Sequence, residues 1–179
     1  MGTVDIGDVA PDFDLPGLRV FGEFVERMEY RLSANRGRPL VLVFYPYDAS
    51  PTCTKQLCEY EDEFDGFEAL GAELWAISMQ DLNSHEAFAR NKHLSFALLA
   101  DSRHGVAEQY GVTMLDGRAI RRSVFILDGD GIVRWKHVAM LGLGYRGAQE
   151  LREKLLELFP APVGGTFDLP APVSESVPV

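Results

Sequence analysis

Leu40-Val41-Leu42-Val43-Phe44-Tyr45-Pro46-Tyr47-Asp48-Ala49-Ser50-Pro51-Thr52-Cys53-Thr54-Lys55-Gln56-Leu57-Cys58 carries most of what the chain reveals about itself. Its first six residues form a continuous apolar run rich in Val, Leu and aromatics, which reads as a strand buried on both faces. Pro46 ends the run. Ser50-Pro51 is a helix-start signal, with Ser50 as N-cap and Pro51 in the first turn. Leu57, Tyr60, Phe64 and Phe67 then recur at helical spacing, which predicts a helix to about Phe67. Cys53 therefore lies in the first turn of a helix that follows a strand. Free N–H groups and the helix dipole favour an anion at such a place, and the thiolate is the reactive form of cysteine. Position alone leaves two readings open, a reactive thiol and a small buried core residue.

Cys53 and Cys58 are the only cysteines among 179 residues. Two are too few for a disulfide scaffold. In an intact helix a five-residue step puts their Cα atoms about 8 to 9 Å apart. A disulfide tolerates up to about 7 Å. The pair bridges only if the first turns of the helix unwind. A structural zinc site lacks its second ligand pair, and His85, His93, His104 and His137 are dispersed.

The rest of the chain alternates strands with helices. Strands are expected at Ala72–Ser78, Phe96–Ala100, Ser123–Asp128 and Ile132–Val138, the last two joined by a Gly129-Asp130-Gly131 turn. Helices are expected at Ser84–Lys92, Ser102–Tyr110 and over residues 146–159, where Leu151, Leu155, Leu156 and Leu158 mark an apolar face. Residues 17–38 fit a hairpin or a short helix. This order predicts an α/β sandwich around a mixed sheet. The compact domain spans residues 1–159. Residues 160–179 hold five of the ten prolines and no Lys or Arg, and read as a Pro-rich C-terminal extension.

Composition narrows the class: 46% hydrophobic and 25% charged residues are ordinary for a globular domain. No apolar stretch approaches the roughly 18 residues of a membrane span. Met1-Gly2-Thr3-Val4-Asp5 lacks the start of a signal peptide, so a cytoplasmic protein is expected. Seventeen Lys+Arg against 27 Asp+Glu give a net charge of −10, which disfavours nucleic acid as a partner.

The segment Phe44-Tyr45-Pro46-x-Asp48-x-Ser50-Pro51-x-Cys53-Thr54-Lys55-x-x-Cys58 resembles the peroxiredoxins, in particular the peroxiredoxin Q or bacterioferritin comigratory protein subgroup. Gly7-Asp8-x-Ala10-Pro11-Asp12-Phe13 and Arg122-Ser123-Val124-Phe125-Ile126-Leu127-Asp128 agree with it. The resemblance implies a thioredoxin-like fold, a mixed β-sheet flanked by helices on both faces, and no cofactor or metal. It implies that Cys53 is the peroxidatic cysteine and becomes a sulfenic acid. Ser50 then hydrogen-bonds the peroxide, Pro46 shields the site and Arg122 holds the thiolate. Cys58 resolves the sulfenic acid as an intramolecular disulfide, which thioredoxin or another thiol reductant recycles. A monomer or homodimer is expected. Two departures stand out: Thr52 replaces the subgroup's usual Gly, and Gln56 stands where peroxiredoxins usually have Glu, removing the carboxylate near the arginine. A one-cysteine peroxidase with an external thiol reductant, a redox sensor and a copper metallochaperone using His137 are the alternatives.

Overall fold

The computed structural model describes residues 3–140 and 144–160. The extension expected at 160–179 lies, beyond Pro160, outside the described residues. The chain order is β1 (Asp14–Phe21), β2 (Phe24–Arg31), a 3-10 turn (Leu32–Asn35), β3 (Leu40–Phe44), α1 (Pro51–Asp62), α2 (Phe64–Ala69), β4 (Glu73–Ser78), α3 (Leu82–Lys92), β5 (Ala97–Ala100), α4 (Gly105–Gln109), β6 (Thr113–Met114), β7 (Ala119–Ile120), β8 (Ser123–Leu127), β9 (Val133–Val138) and α5 (Ala148–Leu158). Seven strands form one sheet in the order β2-β1-β5-β4-β3-β8-β9, and β6 and β7 pair separately. β3, β4 and β5 run parallel, while β1 and β8 run antiparallel to their neighbours β5 and β3.

β3 is buried at every residue because both of its faces are covered. Val41 and Val43 pack with Leu57 and Tyr60 of α1, Phe67 of α2, Phe88 of α3 and Leu151 of α5. Leu40, Leu42 and Phe44 point the other way and pack with Val106 of α4, Tyr110 and Phe13. The sheet thus has helices on both faces, as expected of the α/β class.

Several stretches differ from the sequence reading in detail: α4 starts at Gly105 rather than Ser102, residues 113–120 hold the unexpected β6–β7 pair, and three further differences bear on packing. Residues 17–38 form a hairpin closed at Gly22, whose φ of 58° suits glycine, followed by the 3-10 turn. The helix expected to reach Phe67 breaks at Glu63, and α2 starts afresh at Phe64. The break turns Phe64 edge-on to Phe96. It also brings Gly66 under α5, where a Cβ would lie 3.4 Å from Arg152 Nε. α3 starts at Leu82 rather than Ser84, because Asp81 caps it by accepting from the Ser84 N–H.

α5 has no side-chain cap of its own. Gly147 precedes it, and Glu59 of α1 reaches across to accept from the Ala148 N–H at 2.9 Å. Tyr145 donates to the other Glu59 oxygen. Glu61 similarly accepts from both the N–H and the hydroxyl of Ser95, which lies just before β5.

Gly17 of β1 lies under the Tyr30 ring, which itself sits edge-on to Trp75 at 5.3 Å. A Cβ at Gly17 would meet Tyr30 Cδ2 at 2.6 Å and the Leu98 carbonyl at 3.1 Å. Overpacking of this kind costs about 1–3 kcal/mol. Gly17→Ala is expected to lower the urea unfolding midpoint accordingly; an unchanged midpoint would mean that Tyr30 yields freely.

Candidate active site

The site forms where β3 ends and α1 begins. Ser50 has extended backbone angles and caps α1, its Oγ accepting from the Cys53 N–H at 3.3 Å. Accepting leaves the Ser50 hydroxyl proton available to a further acceptor. Cys53 is fully buried in the first turn. On that same helix face, three and seven residues on, lie Gln56 and Tyr60, both fully buried.

Arg122 reaches this face from the other side of the sheet junction. β8 pairs with β3 so that Ser123 lies opposite Phe44, which puts Arg122 beside the end of β3. Its carbonyl accepts from the Ala139 N–H, fixing the backbone. Its side chain is only 4% exposed. Nη2 donates to Cys53 Sγ at 3.3 Å and Nη1 to Gln56 Oε1 at 2.5 Å. The Nε is buried without a partner among the described residues. A cation in a buried site interacts most strongly with the polar atoms within its reach, and Cys53 Sγ is one of the two that Arg122 meets. Arg121, one residue earlier, is only partly buried and takes no part in these contacts.

The loop between β3 and α1 is held by a second buried cluster. Asp48 accepts from Tyr45 Oη at 2.7 Å, from Ser84 Oγ at 2.6 Å and faces His85 Nδ1 at 2.9 Å. His85 Nε2 faces the Leu99 carbonyl at 3.1 Å. A carbonyl only accepts, so Nε2 carries the hydrogen. The Asp48 N–H donates to Gln80 Oε1, and Ala49 adopts a left-handed φ of 55°. Together these contacts set the path from Tyr45 to Ser50. Burial pushes the Asp48 carboxyl up, but hydrogen bonds from His85, Ser84 and Tyr45 and the field of His85 outweigh it, and the net shift is downward. Burial and the Asp48 charge push the Tyr45 hydroxyl well up.

The structure therefore brings together Cys53, Ser50 and Arg122. Pro46 is partly buried on the loop between them and β3. Cys58 stands apart. Both thiols are free and lie within one unbroken helix, at the separation of about 8 to 9 Å that helical geometry dictates. Cys58 is half-buried; partial burial pushes its thiol up, as do Asp62 and Glu61, against Lys92. His137 accepts a hydrogen bond from Arg146 on the surface of β9. The resemblance had already placed Gln56 near the arginine, while sequence reading missed Tyr60, Tyr45, Asp48 and His85 as site-builders. The spacing of Cys53, Gln56 and Tyr60 was a usable signal for Tyr60.

These features define a buried thiol paired with an arginine on a thioredoxin-like sheet, and the chain belongs to the AhpC/TSA family, whose sequence model matches residues 6–136. Among curated relatives it is 38% identical over 135 residues to "Peroxiredoxin Q, chloroplastic" of Triticum aestivum, covering 75% of this chain and 59% of the relative. The chain thus spans less than two thirds of that relative's length. It is 34% identical over 144 residues to "Peroxiredoxin Bcp" of Bacillus subtilis (strain 168), covering 76% of this chain and 87% of the relative. Among solved structures, the mitochondrial 2-cys peroxiredoxin from Plasmodium falciparum superposes with a TM-score of 0.77 at 25% identity, over 86% of this chain and 93% of that one. Enterococcus faecalis AhpC gives 0.76 at 23% identity, over 88% and 93%, and shares the fold.

The lowered Asp48 carboxyl has a pH consequence. Its folded-state value lies below its unfolded value of about 3.9, so the unfolded chain binds the proton more readily. The stability it contributes is fully present above about pH 4 and is lost as pH falls through the folded value. Urea unfolding from pH 7 down to pH 3 is expected to show a shallower acid loss in Asp48→Asn than in wild type. Equal slopes would remove Asp48 from the acid response.

Proposed function

We propose that the protein is a thiol-dependent peroxidase of hydrogen peroxide and organic hydroperoxides. The observation that carries the reading is Arg122 Nη2 on Cys53 Sγ, buried at a helix N-terminus. The Cys53 thiolate attacks one peroxide oxygen and forms an S–O bond. The O–O bond breaks, and its electron pair leaves on the other oxygen, which takes up a proton as water or alcohol. Sulfur is oxidised to a sulfenic acid and the peroxide is reduced. Arg122 serves both partners, because its guanidinium is a fork of donors that holds the sulfur and stabilises the developing charge on oxygen. The Ser50 hydroxyl, still with a proton to give, orients the peroxide. Pro46 limits water at the site.

Cys58 then condenses with the sulfenic acid, releasing water and forming an intramolecular disulfide. Thioredoxin or a similar dithiol reduces that bond by exchange. Closing the gap requires the first turns of α1 to unwind. We assign the cycle to the cytoplasm, where dithiol reductants are kept reduced, and to a monomer or homodimer acting on neither membrane nor nucleic acid.

Three variants test the scheme in stopped-flow peroxide consumption. Cys53→Ser is expected to abolish the reaction. Cys58→Ser is expected to keep the first turnover at the wild-type rate. Arg122→Gln is expected to slow that first step by about 10²–10³-fold, the usual loss on removing one donor from developing oxyanion charge. Wild type that consumes no peroxide would overturn the reading. Mass spectrometry after one equivalent of peroxide tests resolution: a Cys53–Cys58 bond is expected, and a persistent sulfenic acid would make an external thiol the resolving group.

A further inference from the structure

Arg122 is buried and its partner on α1 is an amide, not a carboxylate. An amide offers a lone-pair oxygen at one end and two N–H donors at the other, so it satisfies Arg122 in only one of its two orientations. A flipped Gln56 would set N–H against N–H. Something must hold the amide the right way round. Gln56 Nε2 donates to Tyr60 Oη at 3.0 Å, and Tyr60 Oη donates to the Arg146 carbonyl at 2.6 Å. The hydroxyl has one proton, and the carbonyl takes it. Tyr60 Oη can then only accept from Gln56, and a flipped Gln56 oxygen would meet an oxygen with no proton left to give.

We propose that Tyr60 is a positioning residue for Cys53. Its hydroxyl fixes the Gln56 amide so that Oε1 always faces Arg122, and Arg122 in turn keeps Nη2 on Cys53 Sγ. The chain runs Arg146 carbonyl, Tyr60, Gln56, Arg122, Cys53, with every side chain in it at most 4% exposed. Because Gln56 is neutral, the relay orients the guanidinium without cancelling its charge, which stays directed at sulfur. The inference rests on the proposed reading of Cys53 as the reacting thiolate.

The test measures alkylation of Cys53 by iodoacetamide as a function of pH, in a Cys58→Ser background so that one thiol reports. Tyr60→Phe keeps the ring against Tyr145 and removes only the hydroxyl. It is expected to move the midpoint of the alkylation profile to higher pH and to slow peroxide consumption near neutral pH about tenfold, with urea unfolding confirming a folded protein at the assay conditions. A carboxylate needs no orienting, since both of its oxygens accept. In a Gln56→Glu background, Tyr60→Phe is therefore expected to leave the midpoint where Gln56→Glu alone puts it. Tyr145→Phe, which removes a neighbouring hydroxyl outside the relay, is expected to leave the wild-type profile unchanged.

An unmoved midpoint in Tyr60→Phe overturns the proposal. So does a Tyr60→Phe shift of equal size with and without the Gln56→Glu substitution, or an equal shift in Tyr145→Phe. Alkylation does not require peroxidase activity. If wild type reduces no peroxide, the functional reading falls while the alkylation profiles still decide the role of Tyr60.

Discussion

The guanidinium of Arg122 has almost no access to water, so the partners of its two Nη atoms must come from the protein, while its Nε is left unpaired among the described residues. An isolated buried cation would cost several kcal/mol. Much of the local architecture follows from meeting this requirement with a sulfur and an amide. β8 must pair with β3 in one register to bring the arginine to the strand end. α1 must be capped at Ser50 so that Cys53 and Gln56, three residues apart, present Sγ and Oε1 on one face. The loop between must hold its path, which is the task of the Asp48, Tyr45 and His85 cluster. A conventional pairing of arginine with a carboxylate would satisfy the cation more simply, and would also blunt its effect on the thiol.

What could be read in advance divides along a physical line. Strand β3, the cap at Ser50 and the place of Cys53 are local features, and the apolar run and helix-start residues specify them within about ten positions. The contribution of Arg122 came through resemblance, because no local pattern tells which arginine crosses to a helix start 69 positions away. Tyr60 was correctly placed in the core by its periodicity. Its hydroxyl partner is a backbone carbonyl 86 residues on, invisible to any periodicity. His85 looked like one of four scattered histidines because its carboxylate partner lies 37 positions earlier.

The break at Glu63 is a different kind of case. Neither Gly nor Pro marks it, and Leu57, Tyr60, Phe64 and Phe67 keep helical spacing across it. Tertiary packing decides it instead: Phe64 turns onto Phe96, and Arg152 crosses over Gly66. Local propensity yields to packing where the two disagree by less than the burial at stake.

Glu59 caps a helix that is not its own. α5 is preceded by a glycine, where a Cβ would lie 2.7 Å from Glu59 Oε1 and would push the capping carboxylate aside. The two helices therefore share a boundary, at which α1 supplies the acceptor for the first free N–H of α5. Cys58 is the residue immediately before that boundary. If Cys58 closes on Cys53, unwinding that halts at Cys58 leaves the Glu59 cap in place, while unwinding one residue further withdraws the acceptor from the Ala148 N–H. The line between a change confined to α1 and one felt at α5 is a single peptide unit wide.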